Sequence, residues 1–146
     1  MAINQISVFL ENKPGQLAEF TRLLEQNQID MRALSIAETQ DFGILRLIVD
    51  DPYDTVNVAK DAGYICAVTP VLAIEIPDKP GSLVKMRSAL GEAGINVEYT
   101  YAFLTRKKDV AYMVFRVNDP DKASEALVRS GVRPLAQDDL AALFAG

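Results

Sequence analysis

The stretch Glu11-Asn12-Lys13-Pro14-Gly15-Gln16-Leu17 decides how this chain is read. Before it, Ile6, Val8 and Leu10 alternate with Ser7, Phe9 and Glu11, the period-two pattern of a strand with one apolar face. After it, Leu17, Phe20 and Leu24 recur at helical spacing over Gln16–Glu25, with Glu19, Arg22 and Glu25 on the polar side. Pro14-Gly15 breaks one pattern and opens the other. Further on, Asn27 to Asp30 leads into a strand over residues 31–37 and Thr39 to Gly43 reads as a hairpin turn, with Gly43 supplying positive φ. A strand over 44–49 follows. Asp50-Asp51-Pro52 caps a second helix whose apolar positions include Val56, Ala59 and Ala62, and which Gly63 closes. A fourth strand covers 64–68, and Pro70 marks a joint.

The order then repeats. Pro77-Asp78-Lys79-Pro80-Gly81-Ser82-Leu83 stands 66 residues after the first stretch, behind Leu72, Ile74 and Ile76 and ahead of Leu83, Met86 and Leu90. Asn118-Asp119-Pro120 and Gly131 match Asp50-Asp51-Pro52 and Gly63 at a spacing of 68, which puts a two-residue insertion in a hairpin tip near residues 105–110. Each copy reads β-α-β-β-α-β, the string of a ferredoxin-like unit with an antiparallel sheet and two helices on one face. The expected fold is α+β, two tandem units over 1–69 and 70–146 with their sheets packed together. At the end Gln137-Asp138-Asp139 precedes a short Asp-capped helix over 140–144, a cover for one end of a sheet or a docking element.

Composition narrows the function. The chain has 146 residues, 49% of them hydrophobic, and a formal charge of −5, which suits a soluble protein with a real core and argues against nucleic acid or an anionic membrane as partner. Its basic run, Arg106-Lys107-Lys108, reads as a solvated hairpin tip. The start of the chain has no leader-like pattern and no apolar run is long enough to span a bilayer, so a cytoplasmic location is expected. There is no histidine, and the single Cys66 lies in an apolar run and reads as a buried, inert thiol. No Ser or Cys stands beside a base and there is no Gly-rich phosphate loop, so neither an enzyme nor a cofactor is expected. The acidic pairs at 50–51 and 138–139 are helix caps rather than metal ligands.

What remains is the two turns. A Pro-Gly turn that opens a helix leaves first-turn N–H groups facing outward at the positive end of the helix dipole, a site for a carboxylate. A glycine there leaves that backbone uncovered, so Gly15→Val or Gly81→Val is expected to hinder a ligand with little loss of fold. Short polar side chains, Asn12 or Asp78 before each turn and Asp30 or Asn96 at the second strand, suit an ammonium group. Carboxylate plus ammonium is an α-amino acid. The same residues are also ordinary turn chemistry. Tyr99, Tyr101, Phe103 and Phe9 either line a pocket or, preferably, serve packing.

At these residues the chain resembles the ACT domain family, small regulatory modules of βαββαβ fold that bind amino acids. The resemblance rests on the two Pro-Gly stretches, Ile29-Asp30-Met31 and Gly94-Ile95-Asn96-Val97, and covers nearly the whole chain as a tandem pair. It implies ligand binding where two such units meet, by Asn12, Lys13, Pro14, Gly15, Gln16, Leu17, Ile29 and Asp30 and by Asp78, Gly81, Ser82, Leu83, Ile95 and Asn96. It also implies a free amino acid as ligand, a homodimer, and a metabolic enzyme or a transcriptional response regulated in trans. Gln28 in place of the family's usual glycine, Asp30 in place of asparagine and Pro77-Asp78 in the second copy depart from the pattern, so the two sites are not equivalent. A module that has lost its ligand and only binds a partner is the alternative.

Overall fold

The computed structural model describes residues 2–38, 40–103 and 108–144. The chain divides into two compact units, Asn4–Thr69 and a second that begins at Pro70 and takes in Ile3.

In the first unit β1 (Ile3–Glu11) pairs antiparallel with β3 (Phe42–Val49), and β3 pairs antiparallel with β2 (Met31–Glu38). The even-numbered residues of β1 fall opposite the odd-numbered residues of β3, as in Val8 with Leu45, so one sheet face collects the apolar side chains. α1 (Gln16–Gln26) and α2 (Pro52–Asp61) cover that face, and Ile6, Val8, Leu10, Phe20, Leu24, Leu45, Leu47 and Ala59 form its core. The second unit repeats this. β6 (Val110–Val117) lies between β4 (Ile65–Pro77) and β5 (Val97–Ala102), both antiparallel to it. α3 (Ser82–Glu92) and α4 (Pro120–Arg129) supply Met86, Leu90, Ala123 and Leu127 to a core with Leu72, Ile74 and Phe115.

All four of these helices end alike. After α1 the N–H of Gln28 donates to Glu25 and that of Ile29 to Leu24, each at 3.0 Å, and Gly63-Tyr64, Gly94-Ile95 and Gly131-Val132 repeat the pair of bonds. This ending needs a left-handed residue followed by an apolar one that folds back on the helix. Glycine fills it three times, but the fourth is Gln28 at φ 56. A side chain there costs about 1–2 kcal/mol, partly offset by the extra entropy glycine has when unfolded. Gln28→Gly is therefore expected to stabilise the protein by about 0.5–1 kcal/mol, and Gly94→Gln to destabilise it by a similar amount, as read from urea unfolding.

Several elements differ from expectation. β4 runs unbroken from Ile65 to Pro77 rather than ending at residue 68, with the unit boundary inside it at Pro70. Proline's fixed φ is compatible with an extended chain and only the N–H is lost. The Pro70 carbonyl accepts from Arg116 at 3.0 Å. The last strand of the second copy shrinks to one bridge between Pro134 and Ile74, followed by a bond from Leu135 N–H to the Ala73 carbonyl at 2.7 Å. Gly43 sits within β3 rather than in a turn of positive φ. Thr55 takes the core position on α2 where Ala62 was expected, and its hydroxyl is satisfied by the Asp51 carbonyl at 2.8 Å. Cys66 is only partly buried, against the first core. Tyr101 and Phe103 are buried, and Tyr99 stacks on Tyr101. α5 (Gln137–Phe144) starts three residues earlier than expected, so Asp138 and Asp139 lie in its first turn, and the Asp139 carboxylate accepts the Ala136 N–H at 2.7 Å. Residues 106 and 107 of the basic run, residues 105–107 of the insertion near 105–110 and Thr39 of the first hairpin lie outside the described residues. Among the described residues no helix is long and apolar enough to cross a membrane.

Candidate functional site

The two Pro-Gly stretches fold into the same turn. The Lys13 carbonyl accepts the Gln16 N–H at 3.3 Å, and the Lys79 carbonyl accepts the Ser82 N–H at 3.3 Å. Gly15 has φ 86 and ψ −10, and Gly81 has φ 89 and ψ −13. Proline at the second position and a left-handed glycine at the third make these type II turns. Each turn is tied to the neighbouring hairpin, by Asn12 N–H to the Asp41 carbonyl at 3.1 Å and by Asp78 N–H to the Asp109 carbonyl at 2.9 Å. The Asn12 amide group adds a bond to the Gln40 carbonyl at 3.3 Å, so this side chain braces the loop.

A Cβ built on Gly15 or Gly81 meets nothing within 4 Å. The glycines are demanded by backbone conformation, not by space. This corrects the expectation for Gly15→Val and Gly81→Val: a β-branched residue at positive φ strains the fold itself.

What the turns do to the helices is the central observation. Neither α1 nor α3 has a side-chain cap. The first bonds along them run from Glu19 N–H to the Gly15 carbonyl at 2.9 Å and from Lys85 N–H to the Gly81 carbonyl at 3.1 Å. Among the described residues the N–H groups of Leu17 and Ala18, and of Leu83 and Val84, have no acceptor. α2 and α4 contrast with this. The carboxylates of Asp51 and Asp119 accept from Asp54 and Lys122 at 3.0 and 3.1 Å. The fold caps two helices with aspartate and leaves the first-turn N–H groups of the other two open. Leu17 and Leu83, read from spacing as core positions, are instead exposed at these helix starts.

The remaining sequence candidates lie elsewhere in each unit. Ile29 and Ile95 are buried in their cores. At the far end of the sheet Asp30 ion-pairs with Arg32, donates its N–H to the Asp50 carboxylate and accepts the Asp50 N–H at its carbonyl. Asn96 likewise donates its N–H to Asn118 Oδ1 and accepts the Asn118 N–H at its carbonyl. Glu11 pairs with Phe42 at the start of β3, whereas Met31 pairs with Val49 at its end. Those seven residues of strand place Asp30 about 23 Å from the turn of its own unit.

Beside the first turn lies an open groove of about 630 Å³, lined by Phe9, Leu10, Glu11, Gln16, Phe42, Gly63, Tyr64 and Ile65. Of the ligand-binding candidates Gln16 contributes to it, and Phe9, for which packing was the preferred reading, lines it as well. Phe42, Tyr64 and Ile65 escaped sequence reading because they are far from the turn along the chain. The signal for Phe42 was topological, since in a βαββαβ unit the third strand starts where the first ends. Glu11 is paired with Lys13 at 2.5 Å, and the hydrogen bond, then the charge of Glu11, raises the Lys13 pKa. Among the described residues no His, Cys, Asp and Glu side chains gather in threes as a metal site would need.

Tyr64 stands edge-on to Phe20 at 5.0 Å. Burial, followed by the charge of Glu19, pushes its phenol above its ordinary pKa. The fold favours the neutral phenol. That contribution is complete below the unfolded-state pKa and is lost as pH rises through the higher folded-state one. Stability measured by urea unfolding should therefore fall above about pH 10, and Tyr64→Phe should make that fall shallower.

The chain matches the ACT domain pair over residues 1–144. It belongs to the ACT domain pair family. Among solved structures, this ACT domain pair is similar to protein BT0572 from Bacteroides thetaiotaomicron, with 41% identity, a TM-score of 0.89 and 96% of each chain covered. It also resembles the ligand-free regulatory subunit of aspartate kinase from Thermus thermophilus, at 15% identity and TM-score 0.66, over 87% of this chain and 91% of that one. The regulatory subunit of aspartate kinase from Thermus flavus has 15% identity and TM-score 0.62, over 88% and 92%. At such identities the two Thermus proteins show a shared fold alone. No curated protein sequence matches the chain.

Proposed function

We propose that this ACT domain pair is a regulatory protein that binds a free amino acid and acts in trans on a metabolic enzyme. The observation that carries the reading is the open start of α1, where Leu17 and Ala18 offer two N–H groups beside a groove. The α-carboxylate is bound there, and Glu11 on the groove wall is the acceptor within reach of the ammonium group. The second unit has Pro77 at the position of Glu11, so the first unit is the working site. The fold is shared with proteins named as regulatory subunits of aspartate kinase, which makes a separate metabolic enzyme the partner class to test. Assembly as a homodimer in the cytoplasm belongs to the same reading, and no catalysis is assigned.

Isothermal calorimetry of the full chain against each of the twenty amino acids tests it. At least one should bind at or below millimolar concentration, and its carboxamide should bind at least about tenfold more weakly, because charge-assisted hydrogen bonds are lost. No heat from any of the twenty rejects the proposal.

A further inference from the structure

We infer that the first unit selects amino acids with an apolar side chain, of the leucine, methionine or phenylalanine class, and that the second unit does not. This rests on the function proposed above, and the groove's lining carries it further. The groove begins at Gln16, the first residue of α1, so a molecule held by the N–H groups of Leu17 and Ala18 has the groove beside it. Phe9, Phe42, Tyr64 and Ile65 form its apolar walls. Ile65 is 72% exposed and Phe42 44%, so apolar surface stands open to water there and a ligand side chain would cover it. Glu11, the charged residue of the lining, already has Lys13 as its counter-ion. The lining therefore carries no spare cation for an acidic side chain, and a basic one would compete for Glu11 with both Lys13 and the ligand's own ammonium group.

The repeat supplies an internal comparison. At the positions of Phe9 and Ile65 the second unit has Glu75 and Arg133. Glu75 is exposed and accepts the Tyr112 hydroxyl at 3.2 Å, and Arg133 is exposed near Asp139. Two apolar walls have become charged while the turn and the open helix start are retained. The units thus keep the same carboxylate-binding backbone and differ in what lies next to it.

The test is calorimetry of the full chain with leucine, methionine and phenylalanine against alanine, aspartate and lysine. The apolar three should bind about tenfold or more tighter than alanine, since each buried methylene adds several-fold in affinity, and aspartate and lysine should bind no better than alanine. Ile65→Arg, which installs the residue of the second unit at an exposed position, should erase the preference for leucine over alanine. Phe42→Ala should reduce it, and Arg133→Ile should leave leucine affinity unchanged. Alanine binding as tightly as leucine, or a charged amino acid binding tightest, overturns the selectivity and leaves the proposed function standing. A preference for leucine that survives both Ile65→Arg and Phe42→Ala overturns the assignment to this groove. Silence from all six in calorimetry, together with binding of another amino acid, also overturns the selectivity, whereas silence from all twenty removes the proposed function itself.

Discussion

Phe20→Ala should lower the stability of the protein by about 3–5 kcal/mol, a large part of the total for a small domain. Phe20 is fully buried, sits in the core with Leu24, Ile6, Val8 and Leu45, and meets the Tyr64 ring edge-on. Truncation removes the transfer energy of the ring and leaves a cavity that strands β1 and β3, fixed by their ladder, cannot collapse to fill. The loss reaches the groove, because Tyr64 stands between Phe20 and the ligand space. Tyr53→Ala is the control. Tyr53 is 76% exposed on α2, and its truncation should change stability by no more than about 0.5 kcal/mol. Urea unfolding of the two variants measures both.

Leu17→Pro should weaken amino-acid binding by about 10–100-fold, while Leu17→Ala should change it far less. Leu17 is the second residue of α1, and its N–H has no acceptor among the described residues. Proline is tolerated in the first turn of a helix because the N–H it lacks makes no bond within the helix. The substitution therefore deletes one ligand-facing donor at limited cost to the fold. The alanine variant keeps the donor and removes only a side chain that is already exposed. Calorimetry of the two variants separates the backbone from the side chain. The matching change in the second unit, Leu83→Pro, should leave the affinity of the first site unaltered.

Much of this was legible in the residues. The alternation of Ile6, Val8 and Leu10, the Pro14-Gly15 break, the Asp-Pro caps at 51–52 and 119–120 and their recurrence were enough for the βαββαβ order, because each is a local effect. The failures share a cause. The fourth strand reads as ending at 68 only if the N–H that Pro70 lacks is needed, and Leu17 reads as core only if the helix is covered to its first turn. Both depend on what packs nearby. The groove was least legible, since Phe9, Phe42 and Ile65 meet only once β1, β3 and β4 have taken their places. Within its own unit Asp30 lies at the opposite end of the strands from the turn, which no local pattern announces.

The central claim is that backbone N–H groups at the start of α1 hold the ligand's carboxylate. Amide nitrogen–proton correlation spectra recorded during titration with the best-binding amino acid test it most directly. The amide signals of Leu17 and Ala18 should move saturably with the affinity seen by calorimetry, and that of Asp54, already bonded to the Asp51 carboxylate, should stay in place. Saturable binding that leaves the Leu17 and Ala18 signals unmoved would contradict the account.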